Sequence, residues 1–277
     1  MRVRIEDDFD LEKIANSGQC FRVRRFEDGT YRFVTGSNIL YISLTDKKNS
    51  SANEYLISCD ESAWNNVWIP YFDLGRNYCA IRADIPIEDA YMRKCADCGA
   101  GIRILKQDSW EMLVSFIISQ RKSIPAIKSS IEAICERFGK SVTTEYEALY
   151  LFPTPKELAC ATEDDLKECK LGYRVSYVME AAKAVCNSTI DLSNIAELSD
   201  EDLFGRIKEH RGVGDKVANC ICLFAYGRVG RAPIDTWIQK VIDGIYNGAN
   251  PFLQYEGVGG IMQQYMFYYA QTHKDEF

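Results

Sequence analysis

The chain has 277 residues, of which 47% are hydrophobic and 26% are charged, so it can bury the core of one large domain or two ordinary ones. Its net charge of −7 at pH 7 argues weakly against nucleic acid as a partner, because proteins that bind DNA usually carry a basic surface. The eleven cysteines are irregularly spaced and no export signal occurs, so we expect a reduced cytoplasmic protein, nucleoid-associated if prokaryotic. No apolar run of about 18 residues occurs, so we expect no membrane span.

The first ninety residues carry the alternating apolar and polar pattern of β-strands. The runs CFRVRRF, YRFV and ILYISL alternate, and Asp28-Gly29 between the first two is a hairpin signal. We therefore predict an N-terminal antiparallel sheet domain over residues 1–90. Residues 84–101 are predicted to form the passage to the rest of the chain.

From about Gly101 onward the apolar residues recur at the three- and four-residue spacing of helices. Asp108 followed by Glu111 has the spacing of a capping box at the start of the first helix. Further helices are predicted over residues 154–159, 163–169, 173–186, 201–210, 215–226, 236–246 and 260–272. The predicted fold class is α+β: the sheet domain is followed by a mostly helical region over residues 91–277, which can divide into two lobes with the active site between them.

The pair Cys95 and Cys98 has the spacing of half a zinc or iron–sulfur site. No second pair follows at ligand spacing, and His210 and His273 are the only histidines. Two packed or surface thiols are therefore the better interpretation, and we predict no metal site. Any other role of the two cysteines stays open.

The segment Gly212-Val213-Gly214 joins two predicted helices. Its glycines permit a tight turn and leave backbone N–H groups exposed at the start of the second helix, where a phosphate can bind. Lys216 lies in the first turn of that helix, and nearly every later position is apolar. Apolar packing and the positive helix end both disfavour the charged amine, which would make it a nucleophile; the alternative is a lysine that merely reaches water.

Asp235 follows Pro233 and is predicted to cap the next helix. The helix from Lys216 carries the chain away by roughly 18 Å and the connection can span about 23 Å back, so Asp235 can lie beside Lys216. A carboxylate there would serve proton transfer or stabilise a developing cation, whereas capping alone is the alternative. Residues 205–240 also hold seven basic and three acidic residues, which give a local charge of +4. On charge alone, a nucleic-acid-binding surface and an uneven scatter of charges on a solvated face explain this equally well.

These residues together resemble a known family of enzymes. The hairpin with Gly-Val-Gly, the lysine two residues later and the aspartate after Pro-Ile are similar to the base-excision DNA glycosylases of the helix-hairpin-helix-GPD superfamily. The lysine resembles that of the 8-oxoguanine DNA glycosylases, and the likeness extends from about Asn16 to Tyr269. It implies that Lys216 and Asp235 are catalytic and that Gly212 and Gly214 bind DNA.

The resemblance also implies a pocket for an extruded base. SGQCFR is similar to the family's N-terminal motif, in which a glycine carbonyl, here that of Gly18, accepts a hydrogen bond from the N7 hydrogen of oxidised guanine. Gln263 would recognise the Watson–Crick edge of the base, Phe267 would stack on it, and Cys220 would line the opposite wall. As isolated residues they would be a loop glycine, ordinary packing residues and a buried thiol.

Further positions correspond to family residues that contact DNA around the gap left by the base. LGYR is similar to the segment near the orphaned partner base, which makes Tyr173 and Arg174 candidates there. The eukaryotic-type enzymes fill the gap with an asparagine run, at the positions that here hold Gln120, Arg121 and Lys122.

Two departures from the family pattern affect the DNA contacts. Trp237 replaces a histidine that contacts phosphate, and Ala126 replaces an arginine that recognises the opposite cytosine. Such a base contact is worth roughly 1 to 3 kcal/mol. We therefore expect a relaxed choice of the opposite base.

We expect a bifunctional DNA glycosylase and AP lyase that acts as a monomer on double-stranded DNA containing oxidised guanine. Lys216 would attack C1′ of the extruded nucleotide, and the resulting Schiff base would permit β-elimination, with Asp235 assisting. No cofactor is required, and a monovalent cation at the hairpin would have a structural role. Two alternatives stay open: a monofunctional alkylpurine glycosylase in which water attacks, and a non-catalytic helix-hairpin-helix DNA-binding module.

Overall fold

The computed structural model describes residues 1–45 and 53–276, which form an antiparallel sheet and many helices. The strands are β1 (Arg2–Ile5), β2 (Arg24–Arg25), β3 (Tyr31–Thr35), β4 (Asn38–Leu44), β5 (Asn53–Ile57), β6 (Ser141–Thr143) and β7 (Ala148–Tyr150). The first five form one sheet in the order β1-β5-β4-β3-β2, with Arg2 opposite Leu56 and Ile42 opposite Ile57, while β6 pairs with β7. The predicted Asp28-Gly29 turn joins β2 to β3, since Phe26 N donates to Thr30 O over 2.8 Å.

The helices confirm the predicted α+β class. They are α1 (Leu11–Asn16), α2 (Glu61–Ala63), α3 (Ile69–Tyr71), α4 (Tyr78–Ala83), α5 (Ala90–Cys98), α6 (Ser109–Ser119), α7 (Ile124–Phe138), α8 (Pro155–Ala159), α9 (Glu163–Glu168), α10 (Val175–Cys186), α11 (Asp200–Lys208), α12 (Asp215–Tyr226), α13 (Thr236–Ile245) and α14 (Gly259–Thr272). Short π or 3₁₀ segments are Trp64–Trp68, Gly172–Arg174, Asn194–Glu197, Pro251–Gln254 and Lys274–Glu276. Each of the seven helices given predicted ranges is present with ends shifted by at most two residues, and Asp108 caps α6 by accepting from Glu111 N over 2.8 Å.

Two parts of the N-terminal region differ from the prediction. Only Arg24 and Arg25 of the run CFRVRRF enter the sheet, because Cys20 and Phe21 are buried ahead of β2 and do not alternate with exposed neighbours. The predicted passage over residues 84–101 contains α5, whose Met92, Cys95 and Ala96 are buried on one face. Asp89 caps this helix by accepting from Met92 N over 3.0 Å.

The chain divides into two compact units. The first consists of Met1–Phe33, Ile39–Lys106 and Gly227–Phe277, and the second of Val34–Asn38 and Gln107–Tyr226. The first unit therefore joins segments from both ends of the sequence. The boundary predicted between residues 90 and 91 stays a prediction.

Aromatic side chains fill the core of the first unit. Phe9, Phe33, Trp68 and Tyr71 surround Phe72, whose ring centroid lies 5.0 Å to 6.2 Å from theirs. All of these contacts except that of Trp68 are edge-to-face, an arrangement that adds roughly 0.5–1.5 kcal/mol per pair to the effect of burial. The sheet and α1 contribute the aliphatic part of the same core.

The carboxylate of Asp89 connects distant parts of the first unit. Besides capping α5, it accepts from the hydroxyls of Tyr246 (2.8 Å) and Tyr255 (2.6 Å) and from Gln254 Nε2 (2.8 Å). Burial, and then the hydrogen bond to this carboxylate, raises the pKa of Tyr246 and Tyr255. The N-terminal and C-terminal segments of the unit are thus tied together through one half-buried carboxylate.

Apolar helices form the core of the second unit. Most of α6 and α12 is buried, and Phe116 stacks on Phe224 with ring centroids 5.6 Å apart. A helix that is apolar on nearly all sides must be covered by others, and α12 packs against both α6 and α11. Among the helices of residues 1–45 and 53–276, none combines the length and apolar character that a membrane span needs.

Candidate active site

The predicted hairpin is present in the second unit as α11, a tight turn and α12. Gly212 has φ of 85°, a conformation that favours glycine, and a Cβ atom there would lie 2.5 Å from Cδ2 of Tyr177. Gly214 is exposed, and its carbonyl accepts from Ala218 N over 2.9 Å as α12 begins. The turn therefore needs glycine at Gly212 for both backbone and space.

Lys216 lies half-buried in the first turn of α12. Its Nζ is 5.5 Å from the centroid of the Phe116 ring, a cation–π distance. The neighbouring Asp215 is paired with Lys208 over 2.5 Å, and no ion pair within the described residues includes Lys216. One turn later, Cys220 is 3% exposed. The amine is therefore held by an aromatic face and not by a carboxylate.

Asp235 lies in the first unit and caps α13. Its Oδ1 accepts from Trp237 N over 3.0 Å and from Ile238 N over 2.8 Å, which confirms the predicted cap. No hydrogen bond to Oδ2 is present among residues 1–45 and 53–276, and the side chain is half-buried. The predicted closeness of Asp235 to Lys216 stays a prediction.

Two lysines flank Trp237 in the first unit. Lys240 Nζ lies 5.0 Å from the centroid of the indole, and Lys274 Nζ lies 5.9 Å from it. Trp237 is half-buried and both lysines are exposed. The predicted DNA-binding residue therefore has two exposed positive charges within about 6 Å of its ring.

The turn around Gly18 has an ordered backbone. Gly18 has φ of 79° and is half-exposed, whereas Ser17 and Gln19 on either side are completely buried. A left-handed residue between two buried neighbours reverses the local chain direction, which glycine permits without strain. The structure thus places a half-exposed glycine where the prediction needs an accessible carbonyl.

Gln263 and Phe267 lie one turn apart on α14 in the same unit. Gln263 is 4% exposed, and its Oε1 is buried without a hydrogen-bond partner in the described part of the chain. Phe267 is half-exposed. A buried amide oxygen without a partner costs about 1–3 kcal/mol, so the position is suited to a ligand that donates a hydrogen bond.

The polar residues after α6 are largely engaged inside the second unit. Gln120 Nε2 donates to the carbonyls of Ile117 and Gly212, both over 2.9 Å, and so joins the end of α6 to the hairpin. Lys122 Nζ donates to Ser130 Oγ (2.5 Å) and to the Lys170 carbonyl (2.6 Å). Burial, and then the charge of Arg174, lowers the pKa of Lys122.

Arg121 differs from its two neighbours. It is exposed, has φ of 50°, and makes no contact within residues 1–45 and 53–276 that would occupy its guanidinium. A non-glycine residue in the left-handed region costs roughly 1–2 kcal/mol, and such strain is concentrated at functional sites. Among the three predicted DNA contacts after α6, Arg121 is the one directed to solvent.

Tyr173 and Arg174 have opposite environments. Tyr173 is 53% exposed, whereas Arg174 is 5% exposed and donates to the carbonyls of Leu171 and Gln120. The Arg174 guanidinium also lies 4.4 Å from the centroid of the Tyr173 ring. A cavity of about 510 Å³ adjoins these residues and is lined by Gln120, Arg121, Tyr173, Tyr177, Gly212, Val213 and Gly214.

Three contact residues were not singled out from the sequence. They are Phe116, Tyr177 and Gln264. Tyr177 is four residues after Tyr173, and the two rings make an edge-to-face contact at 6.0 Å. That spacing was a usable signal, whereas the ring of Phe116 beneath Lys216 depends on distant segments.

The cysteine pair shows no metal environment. Cys95 is completely buried, which raises the pKa of its thiol, and Cys98 is half-buried. Within the part of the chain that the structure describes, no three His, Cys, Asp or Glu side chains are grouped as metal ligands. The hairpin carbonyls of His210 and Gly212 accept from Val213 N and Gln120 Nε2, and a structural monovalent cation there stays a prediction.

The chain is similar to known proteins over most of its length. Residues 2–113 match the family model of the 8-oxoguanine DNA glycosylase N-terminal domain. Residues 114–251 match that of the HhH-GPD superfamily base excision DNA repair proteins. The two matches together cover most of the chain and meet within α6.

Individual relatives are similar over different lengths. An N-glycosylase/DNA lyase of Saccharomyces cerevisiae is 37% identical over 153 residues, which are 51% of this chain and 41% of the yeast protein. The chain thus spans less than half the length of that relative. Two solved structures match this chain almost throughout. The structure of MBOgg1 with a low affinity DNA ligand has a TM-score of 0.90 and 32% identity, over 99% of this chain and 96% of that chain. The Clostridium acetobutylicum 8-oxoguanine glycosylase/lyase with dsDNA containing cytosine opposite 8-oxoG has a TM-score of 0.88 and 33% identity, over 99% and 98% of the two chains.

Proposed function

Because the chain belongs to the 8-oxoguanine DNA glycosylases of the HhH-GPD superfamily, a family of DNA glycosylases with lyase activity, we propose that it excises 8-oxoguanine from duplex DNA and then cleaves the strand. The observation that carries the proposal is the environment of Lys216. Its amine lies over the Phe116 ring, two residues after the exposed Gly214 of the hairpin turn, and is not neutralised by a carboxylate of the described residues.

The reaction begins with the nucleotide swung out of the helix, because its C1′ is not accessible within the base stack. The nitrogen lone pair of Lys216 attacks C1′, and the glycosidic bond breaks with its electron pair leaving on the base. The base takes up a proton as it departs. Opening of the sugar gives a Schiff base between C1′ and Nζ, loss of a C2′ proton then expels the 3′ phosphate, and water finally restores the lysine.

Asp235 stabilises the positive charge that develops on the sugar. Both of its structural hydrogen bonds are to Oδ1, so the cap holds the carboxylate in a fixed orientation while Oδ2 keeps its accepting capacity. A fixed negative charge of this kind needs no reorganisation during the reaction. The same carboxylate assists the proton transfers that follow.

Recognition of the base requires a donor and acceptor pattern that guanine lacks. The Gly18 carbonyl accepts from N7–H, which is present in 8-oxoguanine and absent from guanine. Gln263 supplies the amide for the Watson–Crick edge, supported by its buried Oε1, which has no hydrogen-bond partner in the described part of the chain, and Phe267, one turn later on α14, stacks on the base.

The choice of the opposite base is relaxed in this proposal. Ala126 is exposed and has no polar group to offer a base, and the guanidinium of Arg174 donates to the carbonyls of Leu171 and Gln120. Lys122 is engaged by Ser130 and Lys170 in the same way. Binding of 8-oxoguanine opposite each of the four bases tests this point: a preference for cytosine of a hundredfold or more would contradict it.

Trapping with borohydride tests the reaction type. During turnover borohydride reduces the Schiff base to a stable secondary amine, so a covalent protein–DNA adduct is expected with the wild type and none with Lys216→Gln. Duplexes with 8-oxoguanine, an alkylated purine and an oxidised pyrimidine test the substrate in the same experiment. Base release without an adduct would favour a monofunctional alkylpurine glycosylase, and binding without base release would favour a non-catalytic DNA-binding module.

A further inference from the structure

The turn that carries Gly18 is fixed on both sides by buried side chains. Gln19 Nε2 donates to Ser17 Oγ (2.8 Å) and to the Arg103 carbonyl (2.9 Å), and its Oε1 accepts from Leu105 N over 2.7 Å. Ser17 Oγ donates in turn to the Ile14 carbonyl over 2.7 Å. The peptide after Gly18 is therefore anchored to the segment Arg103–Leu105.

The peptide before Gly18 is anchored by a different element. Nε2 of Gln264, a residue 2% exposed, donates to the carbonyl of Ser17. Gln264 follows Gln263 directly on α14, and successive residues of a helix are directed about 100° apart. The helix thus offers one amide to the turn, while the next amide keeps a buried oxygen without a partner in the described residues.

We propose that Gln264 is a positioning residue that sets the Gly18 carbonyl relative to the Gln263 amide, and so determines how well the enzyme separates 8-oxoguanine from guanine. This inference rests on the proposed function, in which those two groups recognise one base. Gln264 itself does not touch the base.

The physical reason is the freedom of glycine. A residue without Cβ leaves its two flanking peptides free to rotate unless each is bonded elsewhere. Without the Gln264 donor, the buried Ser17 carbonyl loses its partner, and the peptide between Ser17 and Gly18 turns toward another donor or water. The Gly18 carbonyl then moves by a fraction of an ångström, which is enough to weaken a hydrogen bond on which discrimination depends.

The test compares two reactions of the full chain. Gln264→Met keeps the length of the side chain and removes the donor, while Gln271→Met makes the same change at a half-exposed position of the same helix. Base excision from a duplex with 8-oxoguanine opposite cytosine is measured under single turnover, together with β-elimination at a preformed abasic site, which bypasses base recognition. Affinities for 8-oxoguanine and guanine duplexes are compared in the Lys216→Gln background.

Loss of one hydrogen bond is expected to lower excision and the affinity ratio by roughly five- to tenfold in Gln264→Met, with β-elimination unchanged and Gln271→Met equal to the wild type. An unchanged affinity ratio, or equal loss of both reactions, would overturn the role of Gln264. Gln264→Glu, which retains the size of the side chain and replaces the amide donor by an acceptor, is subject to the same two criteria and decides the matter where the methionine variant does not fold. If the wild type itself releases no 8-oxoguanine, the proposed function fails and not the positioning step alone.

Discussion

Substituting alanine for Gly212 places a methyl group against the ring of Tyr177. The new Cβ would lie 2.5 Å from Cδ2 and 2.6 Å from Cγ of that ring, closer than non-bonded carbon atoms approach one another. Cγ is the point where the ring joins its stem, so a small tilt of the ring does not relieve the contact. The substitution also forces alanine into φ of 85°.

Two costs of known size therefore add at one position. A left-handed conformation costs a residue with Cβ about 1–2 kcal/mol, and crowding of a packed site costs about 1–3 kcal/mol, so Gly212→Ala should lower the free energy of unfolding by about 2–5 kcal/mol. In a Tyr177→Ala background the ring is absent, and the same substitution should cost only the conformational part, about 1–2 kcal/mol.

Urea denaturation of the four proteins of this double-mutant cycle measures both values. Gly205→Ala is the matched control in the same hairpin, because Gly205 is exposed within α11 and a Cβ atom there would meet nothing within 4 Å. Since glycine is unfavourable within a helix, alanine at this position should raise the free energy of unfolding by about 0.5–1 kcal/mol. A cost of Gly212→Ala below about 0.5 kcal/mol, within the range of ordinary surface substitutions, would refute the reasoning. Equal costs in both backgrounds would refute the role of Tyr177.

Three further substitutions test other parts of the molecule. Burial, and then the charge of Arg206, lowers the pKa of His210, so the contribution of neutral His210 to stability is present above pH 6.5 and is lost as the pH falls. The free energy of unfolding should therefore fall less between pH 7 and pH 5 in His210→Gln than in the wild type. Equal losses in both proteins would contradict this. Lys240→Gln beside Trp237 should reduce by about 1 the slope of log affinity for DNA against log salt concentration. Lys156→Gln, at an exposed lysine of α8, should leave that slope unchanged. Equal slopes for the wild type and both variants would count against a phosphate contact of Lys240. Asp235→Asn keeps an oxygen for the cap of α13 and loses the negative charge. The free energy of unfolding should therefore change by less than about 0.5 kcal/mol, while the rate of base excision should fall at least about a hundredfold. A large fall in stability with little loss of excision would make Asp235 only a cap.

The elements that the sequence predicts well are those whose signals are local. α12 has the predicted bounds because a glycine turn precedes it and an apolar run fills it, and the cap at Asp235 follows from one residue beside a helix start. α5 was not predicted, although its buried residues have helical spacing, because the helix is short. Its cap, Asp89, also accepts hydrogen bonds from Tyr246 and Tyr255, which lie far along the chain.

The candidate site divides in the same way. Residue type and spacing single out Lys216 and the hairpin glycines, whereas Gln263 is identified only through the resemblance to the family. The availability of a side chain depends on partners that sequence spacing does not reveal. Arg174 is held by the carbonyl of Gln120, which precedes it by 54 residues, and Lys122 is held by the carbonyl of Lys170, which follows it by 48, whereas Arg121 between Gln120 and Lys122 is exposed.

The bond between Gln264 and Ser17 has a consequence for the newly made chain. The two residues are 247 positions apart, and at about 5–20 residues per second a ribosome needs roughly 12–50 s to add the second after the first. Throughout that interval the segment around Gly18 lacks its anchor. The carboxylate of Asp89 likewise waits for its tyrosine partners, which lie 157 and 166 positions later in the sequence. A nascent chain released before α14 is complete would therefore contain the hairpin while the turn at Gly18 still lacks its bond to Gln264.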